Sequence, residues 1–365
     1  MDGRKLHENA RMPCSRSLLS TVLQDKALRE KAEDELHETA ESRGEESRDL
    51  ISWIEKGEEK VPKLTDSCYL WSFLRTSKFR QDATRQRMRN YWYSRRKAIM
   101  QVMNDIDPAS PDILNILKGP NAVYIPLPGY DKEGRKVILA RWNQLDVSGS
   151  AYSFNDWFRA ITLVFDALCF LDEKVMVNGV TFLMDAKGVA MKHLMFFGFN
   201  NCRKQFAVMQ NGYPIRIKQV HYINNNRVIA FFLGVVKSVV TAKLANRIQL
   251  HGYQYDTVFD YIDQSSLPDE YLAADYSGER AGTSQEIMER FIRENILEPT
   301  KLDFLRRLYS ANNISEDSDT ASSEEDFDDA VAEDSDHFFE DAMNEEEAES
   351  FFEESVTQNT AAKEE

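Results

Sequence analysis

The sequence predicts an α/β fold in which a mainly parallel sheet, flanked by helices, follows an all-helical N-terminal lobe. Three observations support this class. Residues 18–110 carry apolar side chains at helical spacing. Short β-branched runs then begin at Val123. Beyond the first two runs, the predicted strands are separated by helical segments of about 15–20 residues, which is typical of parallel strands joined by helices.

The N-terminal helices are predicted from composition, apolar stripes and capping signals. Residues 18–60 are rich in Ala, Leu, Glu and Lys, and they predict short, exposed helices. Asp66 is placed to cap a helix that contains Phe73. A second apolar stripe begins at Met88 and ends before Pro108.

The sheet is predicted to begin with a hairpin. Residues 123–125 and 137–139 are short β-branched runs on either side of the turn cluster 129–134. The remaining predicted elements are a helix over 155–177, a strand over 179–184, a helix over 191–211, a strand over 215–223, a helix over 228–246 and a strand over 248–250.

Charge separates the chain into a mildly basic body and a strongly acidic tail. Residues 311–365 contain 21 Asp and Glu residues and a single base, Lys363, for a net charge of −20, whereas residues 1–310 hold 44 bases and 40 acids. Such a tail buries too little apolar surface to offset the entropy of ordering, so we expect it to be disordered. The predicted parts are a flexible N-terminus (1–17), an all-helical domain (18–110), an α/β domain (111–285), a C-terminal helix (286–310) and the acidic tail (311–365).

The sequence pattern argues against a membrane-spanning protein, a secreted protein and a disulfide-linked protein. The longest charge-free stretch after residue 227 is Val228–Val236, which is too short to span a bilayer. The charged start lacks the apolar segment of a secretory signal, so we expect a cytoplasmic protein. The four cysteines are widely spaced and are interpreted as free thiols.

Motifs for catalysis are missing from the sequence. It contains none of the patterns G-x-S-x-G, H-E-x-x-H, G-x-x-x-x-G-K-[ST] and G-x-G-x-x-G. Asp185 follows a predicted strand, but no nucleophile or base accompanies it, and it is interpreted as a cap or turn residue. The sequence therefore predicts a protein that is not an enzyme and has no metal or cofactor. We also expect a monomer without a nucleic-acid partner.

Bulky apolar residues are concentrated where the predicted sheet meets its helices. Residues 182–184 and 194–199 are rich in Phe, Leu and Met, and residues 228–240 are apolar nearly all round. A helix without a polar face is either buried in a core or covers an apolar cavity, and the residues alone leave both interpretations open. Met and Phe suit an adaptable cavity for a lipid.

A set of separate motifs resembles the CRAL-TRIO lipid-binding family, which includes the tocopherol and retinaldehyde transfer proteins. These motifs are Phe73-Leu74-Arg75, Lys78-Phe79, Gly134-Arg135-Lys136-Val137, Met184-Asp185 with Gly188, Tyr213-Pro214-Ile215-Arg216, His221-Tyr222-Ile223-Asn224, and Lys243 with Arg247, Ile248, His251 and Gly252. They occur in the family's order over roughly residues 20–285. The resemblance implies a CRAL-TRIO lipid-binding domain preceded by the family's helical lobe.

The resemblance also implies a hydrophobic cavity closed by a mobile helical gate, here at residues 228–246. Its lining would include Phe182, Met184, Phe197, Val208, Met209, Ile217 and Val220. At the start of the gate, Asn224-Asn225-Asn226-Arg227 lacks the proline that the family usually has, which predicts a less rigid entry to the helix.

In the tocopherol-transfer branch, basic residues beside the gate bind phosphoinositide phosphates. The matching positions are Arg75, Arg216, Lys243 and Arg247. Two observations on the residues agree: Lys243 and Arg247 have the spacing of neighbours on a helix, and Arg216 alternates with isoleucines along a strand, so that its face differs from theirs. The alternative is a solvated cationic surface with scattered acidic partners.

The predicted function is a carrier that binds a hydrophobic lipid and exchanges it at phosphoinositide-containing membranes, with which it associates peripherally. We expect the membrane phosphoinositide to compete with the closed gate and favour release of the cargo. The alternative is a lipid-sensing trafficking adaptor whose tail recruits protein partners.

The acidic tail contains three similar segments. Each has a phenylalanine followed by two acidic residues, at Phe327, Phe339 and Phe352. They are similar to the FFAT motif, which binds VAP receptors on the endoplasmic reticulum, so VAP-type receptors are predicted partners. The acidic flanks would steer the tail to a basic surface and the phenylalanines would anchor it. The alternative is a solubilising or autoinhibitory tail.

Overall fold

The computed structural model describes residues 25–57, 61–97, 103, 106–118, 122–253 and 256–311. The predicted flexible N-terminus (1–17) lies outside these residues. So do Phe327, Phe339 and Phe352, with the whole tail beyond residue 311.

Among the described residues, four helices lie in the predicted all-helical domain, and a fifth that the sequence did not predict follows it. They are α1 (Lys26–Leu36), α2 (Ala40–Lys56), α3 (Ser67–Thr76), α4 (Gln81–Lys97) and α5 (Pro111–Lys118). Asp66 stands at the start of α3, but its side chain makes no capping hydrogen bond. It accepts a hydrogen bond from Arg307 Nη2 at 2.7 Å instead, so the predicted capping role is wrong.

A five-stranded mixed sheet forms the second layer. Its strands are β1 (Tyr124–Tyr130), β2 (Lys136–Arg141), β3 (Val180–Asp185), β4 (Ile217–Ile223) and β5 (Ile248–Leu250). They lie in sequence order, with β1 antiparallel to β2 and every other neighbouring pair parallel. The Asp131 carboxylate holds the β1–β2 turn, because it accepts hydrogen bonds from the backbone N–H groups of Glu133 and Arg135. The predicted hairpin and mainly parallel sheet are confirmed.

Each crossover between parallel strands contains two helices rather than the single helix that the sequence predicts. The pairs are α6 (Phe154–Leu171) with α7 (Glu173–Asn178), α8 (Met191–Phe197) with α9 (Phe199–Asn211), and α10 (Arg227–Val239) with α11 (Ala242–Ala245). Two of the breaks have local causes. Asp172 caps α7 by accepting from Val175 N, and Gly198 adopts a φ of 66°, which ends a helix.

The C-terminal segment is also two helices, α12 (Ser284–Asn295) and α13 (Pro299–Ser310), where one was predicted. The second begins at Pro299, a residue suited to the first helical position, and Glu298 caps it. Helix α12 packs on β1 and α5, and α13 packs on α6. The two C-terminal helices therefore pack against the sheet and against earlier helices of the chain.

Phe170 of α6 joins the N-terminal lobe, the sheet layer and the C-terminal helices in one core. Its ring lies 5.9 Å from those of Phe73 and Tyr91 and 6.0 Å from that of Phe304, measured between centroids. A second, separate cluster is much smaller and contains only Leu28, Ala32 and Leu36 of α1 with Val177 of α7. Helix α1 is thus attached to the body through few apolar contacts.

Candidate lipid cavity and basic face

A cavity of about 180 Å³ lies between one face of the sheet and helices α6, α8, α9 and α10. The described residues that form its wall include no Lys, Arg, Asp, Glu or His. An uncharged wall built of aromatic and aliphatic side chains suits a hydrocarbon ligand.

All seven residues predicted to line a cavity lie in this wall. They are Phe182, Met184, Phe197, Val208, Met209, Ile217 and Val220. Parallel register brings the strand residues together, because Phe182 on β3 is paired with Val220 on β4, and Val220 in turn with Ile248 on β5. Alternate side chains point to one face of a sheet, which places Phe182 with Met184 and Val220 with Tyr222 on the cavity side. Ile217 lies three positions before Val220 and joins them across an irregularity in the β3–β4 register.

Helix α6 supplies the part of the wall that the sequence reasoning missed. Trp157, Phe158, Ile161, Thr162 and Phe165 recur at helical spacing on one side of it. The apolar stripe was visible in the sequence, but helical periodicity alone does not distinguish a cavity wall from a packed core.

Aromatic rings link the wall residues into a continuous belt. Trp142, at the end of β2, contacts Phe197 of α8 and Phe232 of α10, with ring centroids 5.2 and 5.1 Å apart. Phe197 also meets Trp157 of α6 at 5.3 Å. Phe232 lies on α10, the helix that the resemblance predicts as a gate, and it packs against this belt.

The entry to α10, where the sequence predicts a less rigid chain, carries hydrogen bonds from three asparagine side chains. Asn224 donates to Asp185 Oδ1 at 2.8 Å, and Asn225 accepts from Gly252 N at 3.0 Å. Asn226 caps the helix by accepting from Ile229 N. These side-chain hydrogen bonds restrain the turn without the proline that the family usually has there.

Asp185 has a structural position that agrees with its interpretation as a turn residue. Besides the bond from Asn224, its carboxylate accepts from Lys187 N at 2.9 Å and from the Tyr271 hydroxyl at 2.7 Å. It therefore ties the end of β3 to the gate entry and to the segment before α12.

A few polar atoms interrupt the apolar wall. The Tyr124 hydroxyl accepts from Trp142 Nε1 at 3.0 Å, and the Tyr213 hydroxyl donates to the buried Asp166. The Nε2 atom of Gln205 is buried and has no hydrogen-bond partner within the part of the chain that the structure describes. An amide N–H in this position can donate to a polar group on a ligand.

Arg216, one of the four predicted phosphate contacts, directly precedes β4 and points away from the cavity. Ile217 lies in the cavity wall, whereas its neighbours Arg216 and Lys218 both reach Glu35 of α1, at 2.9 Å each. The predicted alternation of bases and isoleucines is therefore seen in the structure. The pKa of Arg216 is lowered overall. Burial lowers it most, the charge and hydrogen bond of Glu35 raise it, and the charge of Arg247 lowers it further.

Arg247 lies close to this group, and its guanidinium donates to the carbonyl oxygen of Ile217. Burial and the charge of Arg135 lower its pKa. We call Arg135, Arg216, Lys218 and Arg247 the basic cluster. The predicted helical pairing of Lys243 with Arg247 is wrong, because α11 ends at Ala245 and Arg247 follows it in a turn.

Arg75 is not on this surface, which contradicts its predicted place in a phosphate site. Its side chain is fully buried and donates to both Glu38 oxygens and to Glu173 Oε1, each at 2.8 Å. Burial lowers its pKa, but the hydrogen bonds and charges of Glu38 and Glu173 outweigh burial and raise the pKa above the ordinary value. The geometry makes Arg75 an interior ion-pair residue that joins α3 to α7.

No helix among the described residues is long and apolar enough to cross a membrane. No group of three or more His, Cys, Asp or Glu side chains in the described ranges is arranged to hold a metal ion.

Comparisons with known proteins agree with this architecture. The CRAL/TRIO domain model matches residues 120–271. The Homo sapiens protein named alpha-tocopherol transfer protein-like is 31% identical over 242 residues, which cover 66% of this chain and 68% of that protein. Clavesin-2 of Mus musculus is 25% identical over 245 residues, or 66% of this chain and 72% of clavesin-2. A crystal structure of Sfh5 aligns with 74% of this chain and 98% of its own, at a TM-score of 0.45 and 13% identity. The chain belongs to the CRAL-TRIO family.

Proposed function

We propose that this protein is a carrier that binds a hydrophobic lipid in its cavity and exchanges it at phosphoinositide-containing membranes. The observation that carries the proposal is the uncharged cavity closed by an apolar helix. Each buried CH₂ group of a ligand contributes roughly 0.8 kcal/mol, so a wall of this chemistry favours long hydrocarbons. The relationship to alpha-tocopherol transfer protein-like supports the same function.

The polar atoms of the wall are suited to orienting a cargo rather than to retaining it. Gln205 offers an unsatisfied donor in an apolar surrounding, where a hydrogen bond to a ligand oxygen would be favourable. We therefore expect a lipid with a polar group at one end, held with its hydrocarbon against the aromatic belt.

Exchange is proposed to take place at the gate. Opening α10 would separate Phe232 from Trp142 and expose the cavity. The basic cluster and Lys243, on and around β4 and α11, would bind lipid phosphates while the gate opens. We propose no catalytic step, because Asp185 is engaged in holding a turn and the described residues of the cavity wall include no Lys, Arg, Asp, Glu or His.

Lipid capture tests this function directly. The full chain is exposed to a cellular lipid extract, purified again and analysed by native mass spectrometry and lipid extraction. We expect one lipid class at a stoichiometry near one. Val220→Trp, which places a large side chain in the cavity, should abolish capture, whereas Leu250→Trp on exposed β5 should not. A folded Val220→Trp protein with unchanged capture would contradict the proposal.

The second candidate function is a lipid-sensing adaptor, and the three phenylalanine segments of the acidic tail favour it. In this case the tail binds a VAP-type receptor through Phe327, Phe339 and Phe352. Binding of the full chain to a VAP domain, compared with the triple Phe→Ala variant, measures this. Lack of binding by both the unmodified and the phosphorylated chain would remove the adaptor function.

A further inference from the structure

Glu35 pairs with two members of the basic cluster, Arg216 and Lys218. Its Oε2 atom accepts from Arg216 Nη2 and from Lys218 Nζ, at 2.9 Å in both cases. Burial raises the pKa of Glu35, but the hydrogen bond and charge of Lys218 and the charge of Arg216 lower it overall. One carboxylate oxygen thus stands where two cations converge, as a phosphate oxygen would.

Glu35 leaves the cluster with an excess of positive charge. Arg135 and Arg247 lie near enough to lower the pKa values of Lys218 and Arg216. Arg135 is itself paired with Asp131 and Glu133, whereas Arg216 Nη1 is buried without a partner in the described residues. A group with several negative oxygens would satisfy donors that a single carboxylate does not reach.

Helix α1, which carries Glu35, is held to the body by few contacts. Its apolar side consists of Leu28, Ala32 and Leu36, packed on Val177 apart from the main core. Lys31 Nζ also donates a hydrogen bond to the carbonyl oxygen of Glu133. A helix with so small a buried surface is among the parts of a protein that open most readily.

The chain is anchored directly after this helix. His37 ends α1 with a φ of 64°, and Glu38 follows, buried and bonded to Arg75. Arg43 binds the same carboxylate from the other side at 2.9 Å. Movement of α1 can therefore take place about His37 while Glu38 stays in position.

We propose that α1 is an autoinhibitory strap, whose Glu35 carboxylate occupies the phosphate site on β4 and is displaced when the phosphorylated headgroup of a membrane lipid binds there. This inference rests on the proposed function and describes how its membrane site is regulated. A headgroup phosphate and Glu35 cannot share Arg216 and Lys218, because the two anions repel each other. Headgroup binding and strap release are therefore coupled.

The first test compares two charge-removing changes on the same helix. The full chain and its variants are titrated with phosphatidylcholine vesicles that contain phosphatidylinositol 4,5-bisphosphate, and with vesicles of phosphatidylcholine alone. We expect Glu35→Gln to tighten binding to the phosphoinositide vesicles about tenfold, since two partly buried ion pairs no longer compete. Glu33→Gln, at an exposed position of α1, is the control and should leave the affinity within about twofold.

The second test uses the unaltered protein. Hydrogen exchange of the amides at residues 28–36 is measured with and without the phosphoinositide vesicles. Release of the strap predicts faster exchange on binding, whereas simple coverage by a membrane predicts slower exchange. Soluble inositol 1,4,5-trisphosphate, added in place of vesicles, shows whether the phosphates alone release the helix.

The results separate the strap from the membrane site. If Arg216→Gln with Lys218→Gln leaves vesicle binding unchanged, the phosphate site of the proposed function is wrong. If that double change weakens binding but Glu35→Gln behaves like Glu33→Gln, the site stands and the strap is overturned. Slower exchange of residues 28–36 on vesicle binding would also overturn the strap.

Discussion

Trp142 and Phe232 meet edge to face across the cavity, with ring centroids 5.1 Å apart and planes at 83°. Trp142 stands at the end of β2, and Phe232 lies on the helix proposed to open. This aromatic pair is a contact through which the proposed gate would close on the sheet. A substitution at this pair can therefore distinguish an effect on gating from an effect on overall stability.

Phe232→Ala should weaken gate closure. Loss of a buried ring costs about 3–5 kcal/mol of unfolding free energy, and here the loss falls on the closed gate. We expect faster release of a bound fluorescent lipid, measured by stopped flow. Phe197→Ala is the matched control, because it removes another ring from Trp142 but lies on α8. Equal release rates for the two variants would contradict a gate at α10.

Arg75→Ala should destabilise the fold strongly, because it leaves Glu38 and Glu173 buried without their cation. Breaking such an interior pair costs about 3–5 kcal/mol, which urea unfolding measures. Arg43→Ala, which removes a partner of Glu38 from the more exposed side, should cost about 1 kcal/mol or less. A stable Arg75→Ala protein that loses vesicle binding would restore Arg75 as a phosphate contact.

Tyr309→Phe should loosen the C-terminal helix α13. The Tyr309 hydroxyl donates to the buried Asp166 carboxylate at 2.8 Å, and a hydrogen bond to a charged group is worth about 1.5–3 kcal/mol. Tyr91→Phe removes a longer bond of 3.3 Å to the same carboxylate and should cost less. Thermal unfolding of both variants gives the comparison, and an equal loss would show that bond length is not what matters here.

Acid should destabilise the protein through His221. Its Nδ1 lies 2.9 Å from His251 Nε2, and its Nε2 lies 2.9 Å from Gln219 Oε1. Burial and the charge of His251 lower the pKa of His221 to about 4, although Asp131 raises it, and Arg135 lowers it further. The pKa of His251 is lowered too, by burial, against the charge of Asp260.

The sign follows from which state binds the proton first. In the unfolded chain a histidine binds it near pH 6.5, so the stability present above that pH is lost as the pH falls towards 4. We expect a loss on the order of 2 kcal/mol over this window, measured by urea unfolding at each pH. His221→Asn should flatten this dependence, whereas His37→Asn, at an exposed position, should not. An unchanged slope in the first variant would place the acid sensitivity elsewhere.

Local patterns predicted the sheet and the strand side of the cavity well. Ile217 lines the cavity while its neighbours Arg216 and Lys218 reach Glu35, because the alternation of side chains along extended backbone depends only on neighbouring residues. The same reasoning failed for the helix breaks at Asp172 and Gly198. A long apolar run hides a break, since capping by one side chain or one glycine changes the pattern very little.

Arg75 and Glu35 show where sequence reasoning stops. The family resemblance places Arg75 with the surface bases. Its actual partners, Glu38 and Glu173, lie 37 and 98 positions away along the chain. No sequence pattern distinguishes Glu35, which is 181 positions away from its partner Arg216 along the chain. No spacing rule connects residues this far apart.

The sequence by itself determined the fold class, which side chains of a strand share a face, and the apolar composition of the cavity wall. These follow from hydrophobic period, turn chemistry and apolar content, which are local properties of the chain. Only the tertiary structure decided which charges meet: Arg75 with two interior acids, and Glu35 with the bases of β4. Ion pairs depend on distances of a few ångströms between remote segments, and the packing of helices on the sheet sets those distances.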